Sequence, residues 1–132
     1  MASHNPVVAE WAAKAESDWH LLSIIRGKDG TEDAVMFHAQ QCAEKYLKAA
    51  LIACQENPTK THDISTLYRL LQVHRSDLDL DVSALDRLSQ GGVSFRYPGC
   101  DATEEDAEFA IRQAGAIRAA IAPWLRSLPP ST

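Results

Sequence analysis

The feature that most constrains this chain is a run of apolar residues at helical spacing between residues 31 and 55. Apolar side chains recur there every three or four positions, at Met36, Ala39, Ala43, Leu47, Ala50, Leu51 and Cys54. This spacing places them on one face of an α-helix. The helix is the longest that the sequence predicts, from about Thr31 to Gln55, so we expect it to be central in the fold.

Two further helices are predicted on either side of this one. The first runs from near Pro6 to Arg26, because proline suits a first helical turn and Gly27 ends the apolar pattern. The other follows the turn at 57–60 and is predicted to begin at Thr61 as its N-cap. Its expected buried face consists of Ile64, Leu67, Tyr68 and Leu71.

The C-terminal half predicts a short helix and a long one. The short helix spans about 82–89 and is expected to weaken at Gly91 and Gly92. The long helix is capped by Thr103 and Asp106, a variant of the capping box, and Pro123 is expected to kink or end it. Five helices with short links predict an all-α, up-and-down bundle. We expect a single domain over 1–128 and a frayed tail over 129–132.

Charge and composition exclude several functions. Lys plus Arg total 13 against 18 Asp plus Glu, a net charge of -5, which argues against bulk nucleic-acid binding. No segment reads as a secretion signal or a membrane span. Three cysteines without CxxC spacing, Cys42, Cys54 and Cys100, fit reduced, buried thiols. We therefore expect a cytoplasmic protein without a membrane partner.

Polar residues on the central helix form a second pattern. His38, Gln41, Lys45 and Lys48 share an arc of about 80° outside the apolar stripe. Glu44 lies at the edge of that stripe, where burial would require hydrogen-bond partners. The alternative is an ordinary solvated face, in which Gln41 with Lys45 and Glu44 with Lys48 are i,i+4 pairs.

Three more positions are candidates for binding. Asp18 falls on the apolar side of the first helix, so it requires a lysine, arginine or glutamine from a neighbouring helix. His62 is expected in the first turn of the third helix. In FRYPGCD, Arg96 can bind a phosphate or carboxylate through two hydrogen bonds, and Tyr97 offers a ring and a hydroxyl. Arg96 pairing with a carboxylate such as Asp18 is the structural alternative.

These motifs together resemble the HEPN domain, the higher-eukaryote and prokaryote nucleotide-binding family. The resemblance rests on Asp18, on AQQCAEKYLKAAL in the central helix, on THDI before the third helix and on RYP before an acidic helix start. It implies an all-α bundle that is frequently a homodimer. It also implies binding of a nucleotide such as ATP, or pairing with a minimal nucleotidyltransferase as in toxin–antitoxin systems.

The resemblance and the residues together predict a binding module without a cofactor. The predicted ligand-binding residues are Lys45, Lys48, His62, Arg96 and Tyr97, supported by a polar network of Asp18, Gln41 and Glu44. One alternative is a non-catalytic dimerisation or interaction module, in which these residues are structural.

The other alternative is a metal-independent ribonuclease of the HEPN type. Many members of that family use an arginine followed after four to six residues by a histidine, and Arg96 is not followed by one. Arg69 and His74 have the spacing but lie on the third helix, where they would point about 140° apart. His38 and Cys42 are only two of the four ligands that a structural zinc needs. No catalytic residue or metal site is therefore assigned.

Overall fold

The computed structural model describes residues 1–58, 60–95 and 97–131, and most of these residues lie in five α-helices. The helices are α1 (Pro6–Ile25), α2 (Glu32–Ala53), α3 (Ile64–His74), α4 (Val82–Ser94) and α5 (Glu104–Ser127). No β-strand occurs within the described ranges. The predicted all-α bundle is confirmed.

Helix α2 is the centre of the bundle, as its apolar stripe predicts. It packs against all four other helices. Ala39, Ala43, Leu47 and Leu51 of the predicted stripe are fully buried, and so are Leu67 and Tyr68 on α3. Burial of such side chains contributes about 1.5–3 kcal/mol each for the larger ones, so this helix organises the fold.

The start of α3 differs from the prediction. The helix begins at Ile64, and its N-cap is Asp63, whose carboxylate accepts a hydrogen bond from the backbone N–H of Ser65 at 3.2 Å. Thr61 does not cap the helix; its hydroxyl oxygen instead accepts from the N–H of Asp63 at 3.1 Å. The correct cap is an aspartate, which is at least as good an N-cap as threonine. His62 consequently precedes the helix and is not in its first turn.

Helix α4 is longer than predicted and passes through its glycines to Ser94. The reason is close packing against α2 at Gly91. A Cβ atom placed on Gly91 would lie 2.5 Å from the Cε of Met36. The glycine therefore permits the approach of α4 to α2 and does not end the helix.

Helix α5 begins as the sequence predicts and ends later. Thr103 and Asp106 form the reciprocal capping box, and three acidic residues occupy the first turn. Pro123 does not end the helix, which continues to Ser127. Pro123 and Ala119, whose carbonyl loses its helical partner, are both exposed, so water can satisfy that carbonyl.

The ends of the described chain meet. The N–H of His4 donates to the carbonyl of Pro129 at 2.8 Å, and the N–H of Ser131 donates to the carbonyl of His4 at 2.8 Å. The predicted tail thus includes residues that pair with the N-terminal segment. No helix within the described part of the chain combines the length and apolar character needed to cross a bilayer.

Candidate functional site

Asp18 meets the partner that its burial requires. The side chain is about one-tenth exposed, and its Oδ2 accepts a hydrogen bond from Lys45 Nζ at 2.7 Å. Its other oxygen, Oδ1, lies 2.9 Å from Nδ1 of His38. We call Asp18, His38 and Lys45 the Asp18 cluster. It confirms that a lysine from a neighbouring helix pairs with Asp18, and it joins α1 to α2.

Glu44 is the centre of a second cluster. Only 5% of its side chain is exposed. Glu44 Oε2 accepts from Lys48 Nζ at 3.2 Å, and Oε1 accepts from Gln40 Nε2 at 3.2 Å. Nδ1 of His62 also lies 2.9 Å from Glu44 Oε1. We call Glu44, Gln40, Lys48 and His62 the Glu44 cluster, and it connects α2 to the segment before α3.

His62 is held in place although its side chain is 74% exposed. Its carbonyl oxygen accepts from Gln40 Nε2 at 3.2 Å and from the Ser89 hydroxyl at 3.3 Å. Ser89 in turn accepts from the N–H of Ile64 at 3.2 Å. The backbone and the ring of His62 are therefore fixed by buried or largely buried polar groups from α2 and α4, while the rest of the ring faces solvent.

Gln41 extends the Glu44 cluster on α2. Its Nε2 donates to Gln40 Oε1 at 2.9 Å, so the predicted Gln41–Lys45 pair is replaced by a contact with Gln40. The predicted Glu44–Lys48 pair is present. The structure thus brings Asp18 together with Lys45, and Glu44 together with Lys48, His62 and, through Gln40, Gln41. Lys48 Nζ also lies over the Trp11 ring, 5.6 Å from its centroid.

Positive and negative charges are balanced in the Asp18 and Glu44 clusters. Their two lysines are each paired with a carboxylate, Asp18 or Glu44. Every buried side-chain nitrogen and oxygen within the described ranges has a hydrogen-bond partner. A ligand phosphate would therefore share these lysines with the carboxylates, which weakens the attraction that the sequence suggested.

Tyr97 is not part of either cluster. Its side chain is 64% exposed, and its carbonyl oxygen accepts from the N–H of Cys100 at 3.2 Å in the turn that contains Pro98 and Gly99. Arg96 lies outside the described residues, so its pairing with a carboxylate or a phosphate stays a prediction.

An open polar cleft adjoins the Glu44 cluster between the start of α3 and α4. Its volume is about 530 Å³, and it is lined by Asp63, Asp86, Ser89, Gln90 and Ser94. Ser89 links the cleft to His62 through the hydrogen bond described above. The two aspartates make the cleft acidic, which favours ligand groups that donate hydrogen bonds.

The cysteines differ in their surroundings. Cys42 is buried, whereas Cys100 is exposed, so the expectation of buried thiols is wrong for Cys100. Burial, with the nearby charges of Asp18 and Glu16, raises the pKa of the Cys42 thiol to about 12. Such a thiol is not reactive at neutral pH. No group of three or more metal-binding side chains is found among the described residues.

The arginine and histidine with ribonuclease-like spacing do not form a site. Arg69 is exposed on α3, and His74 Nε2 lies 3.0 Å from the carboxylate of Glu56. Helix α3 is continuous from Ile64 to His74, so the two side chains diverge as the helical geometry predicts.

Sequence reasoning missed a third cluster, between α1 and α5. Glu16 accepts two hydrogen bonds from Arg118, at 2.7 and 2.9 Å, and one from the hydroxyl of the buried Tyr46. The hydrogen bonds from Arg118 lower the pKa of Glu16, and burial raises the pKa of Tyr46. The contact joins residues 102 positions apart, and local spacing carries no signal for it. His38 was noticed on α2, but its pairing with Asp18 was also missed.

One comparison with known proteins identifies a family for this chain. The family model described as HEPN domain matches residues 8–124 of the 132-residue chain. No curated protein and no solved structure matches the chain.

Proposed function

Because the chain belongs to the HEPN domain family, we propose that it is a non-catalytic binding module for a nucleotide such as ATP. Its ligand surface is the polar face of α2, which we define as His38, Gln41, Lys45 and Lys48, together with His62 beside it. The resemblance described above supports a nucleotide as the ligand. The contacts of Asp18 and Glu44 with these side chains support a position on α2 for the ligand surface.

One observation carries this proposal. Polar side chains from α1, α2 and the segment before α3 form two clusters along α2, on a bundle whose core is otherwise apolar. Two buried carboxylates each orient a histidine whose ring reaches the surface. Packing alone does not require an exposed histidine to be fixed in this way, whereas a binding surface benefits from pre-organised groups.

The paired lysines define how the nucleotide is held. Lys45 and Lys48 contact carboxylates, so binding depends on directed hydrogen bonds more than on net positive charge. The affinity should therefore fall only moderately as salt is raised, in contrast to proteins that bind phosphates through unpaired cations.

Titration calorimetry with ATP, GTP and short oligonucleotides tests the proposal. We expect heat of binding with a mononucleotide. The affinity should be at least about tenfold lower in Lys45→Gln, since hydrogen bonds to charged groups contribute about 1.5–3 kcal/mol. Lys28→Gln, in the exposed turn after α1, is the matched control. A folded protein that gives no heat with any of these ligands would contradict the proposal.

A second candidate is an interaction module that binds a minimal nucleotidyltransferase or a second copy of the chain. The charge balance of the two clusters favours it, because a surface without excess charge suits a protein partner. Sedimentation of the protein alone, and of its mixture with a minimal nucleotidyltransferase, separates the two candidates. Loss of stability in Lys45→Gln without any change in nucleotide binding would favour this one.

The ribonuclease alternative has less support. The arginine–histidine spacing is missing after Arg96, and Arg69 and His74 do not converge. Incubation with total RNA in the presence of a chelator is the test. Cleavage that disappears in Arg96→Ala would replace the binding proposal by this one.

A further inference from the structure

We propose that His62 selects the ligand by accepting a hydrogen bond from a ligand hydroxyl, which in a nucleotide is a ribose hydroxyl. This inference rests on the proposed nucleotide function and adds to it the group that is recognised and the atom that recognises it. The recognising atom is Nε2 of His62.

The contact with Glu44 determines which nitrogen of the neutral His62 ring carries the proton. Nδ1 faces Glu44 Oε1 at 2.9 Å, and Glu44 also accepts from Lys48 and Gln40. An ionised carboxylate can only accept hydrogen bonds. Nδ1 must therefore carry the proton. In the neutral ring, Nε2 then has a free lone pair and is an acceptor.

The neutral ring excludes a phosphate oxygen as the partner of Nε2. A phosphate oxygen also accepts hydrogen bonds, so the neutral ring of His62 offers a phosphate no donor at Nε2. The donor of the neutral ring is already used by Glu44. The ligand must instead supply the hydrogen.

The neighbouring cleft also favours a ligand group that donates hydrogen bonds. Its aspartates, Asp63 and Asp86, present carboxylate oxygens, which also require donors and repel phosphate. Asp63 already accepts from Ser65 and Thr66, and Asp86 lies 3.4 Å from the Ser65 hydroxyl. The volume of about 530 Å³ accommodates a sugar. Cleft and ring thus favour the same ligand group, a hydroxyl.

The shared contact with Glu44 relates the position of a ribose at His62 to that of a phosphate at Lys48. Lys48 and His62 bind the two oxygens of one carboxylate, Glu44, so the ammonium and the imidazole are close neighbours. In a nucleotide the ribose directly adjoins the phosphate. A nucleotide whose phosphate contacts Lys48 can therefore reach His62 with its ribose.

The ring protonation is measured first, in the protein without ligand. Long-range proton–nitrogen spectra are recorded at a pH of about 8.5, well above the ordinary histidine pKa of about 6.5. We expect His62 to carry its proton on Nδ1, in contrast to His20, an exposed histidine on α1 whose ring has no partner among the described residues. A His62 ring protonated on Nε2 would overturn the inference whether or not nucleotides bind.

Ligand selection is measured next, by titrating ATP and 2′,3′-dideoxy-ATP at the same pH. We expect the dideoxy form to bind about 2- to 12-fold more weakly, the effect of one neutral hydrogen bond. The difference should vanish in His62→Phe and persist in the control His20→Phe. Equal affinity for both ligands, or a difference that survives in His62→Phe, refutes the role of His62 while nucleotide binding stands. Binding of neither ligand refutes both.

Discussion

The Glu44 cluster and the contacts between α1 and α5 use the same kinds of residues in different surroundings. Glu44 is 5% exposed and fixes a lysine, a glutamine and a histidine. At the α1–α5 edge, Glu16 and Glu108 are 45% and 40% exposed and pair with Arg118 and Arg26. The exposed pairs fasten two helices to each other. The buried carboxylate instead orients side chains that reach the surface, and this difference leads us to assign the ligand surface to α2.

The largest effect is expected from Glu44→Ala. It leaves Lys48, 10% exposed, without its carboxylate, so we expect a loss of about 3–5 kcal/mol in the free energy of unfolding. Urea denaturation measures it. Glu44→Gln, which keeps the shape and one acceptor, should lose less. A loss below about 1 kcal/mol in Glu44→Ala would mean that the buried cluster is no stronger than the exposed pairs, and the comparison would fail.

A smaller effect is expected from Glu16→Gln, and it should depend on pH. The hydrogen bonds from Arg118 lower the pKa of Glu16 in the folded protein. Its contribution is therefore present above the ordinary glutamate pKa of about 4.3 and is lost as the pH falls through the lowered folded value. We expect a loss of about 1 kcal/mol at pH 7, reduced by solvent screening.

Thermal unfolding of wild type and Glu16→Gln from pH 7 down to about pH 3 measures this dependence. The gap in stability between the two proteins should narrow as the pH falls below the ordinary glutamate pKa, because protonation of the wild-type carboxylate weakens its pairing with Arg118. A gap that stays constant over the whole range would show that the charge of Glu16 contributes nothing and that only its shape matters.

The smallest effect is expected from Glu108→Ala. Its partner Arg26 is 51% exposed, and such surface pairs contribute about 0.2–1 kcal/mol. The loss should nearly disappear in about 1 M salt, where charges are screened beyond about 3 Å. Urea denaturation at low and high salt measures it, with Glu44→Ala as the comparison that salt should change little. A salt-independent loss would contradict the distinction between the two regions.

The fold was largely predictable because its signals are local. Apolar spacing identified the central helix, and the capping box at Thr103 fixed the start of α5. The errors occurred where tertiary packing overrides a local preference. Gly91 reads as a helix breaker in the sequence, but it lies against Met36 of another helix.

The candidate site was only partly predictable for a related reason. The burial of Asp18 required a partner, and the sequence indicated the type of that partner, although it did not distinguish Lys45 from Arg96. The pairing of His62 with Glu44 and its bracing by Ser89 depend on contacts between distant segments. No spacing rule within one helix reports such contacts.

The pairing of His4 with residues 129–131 has a practical consequence for protein engineering. Since His4 already lies beside residues 129–131, a short glycine–serine linker could join the two segments into a continuous backbone. New ends could then be opened in the turn between α3 and α4, at the exposed residues Ser76 and Asp77. Such a circular permutant would keep every helix in place. Its new ends, at Ser76 and Asp77, would allow a fluorescent label to be attached away from the His4 segment.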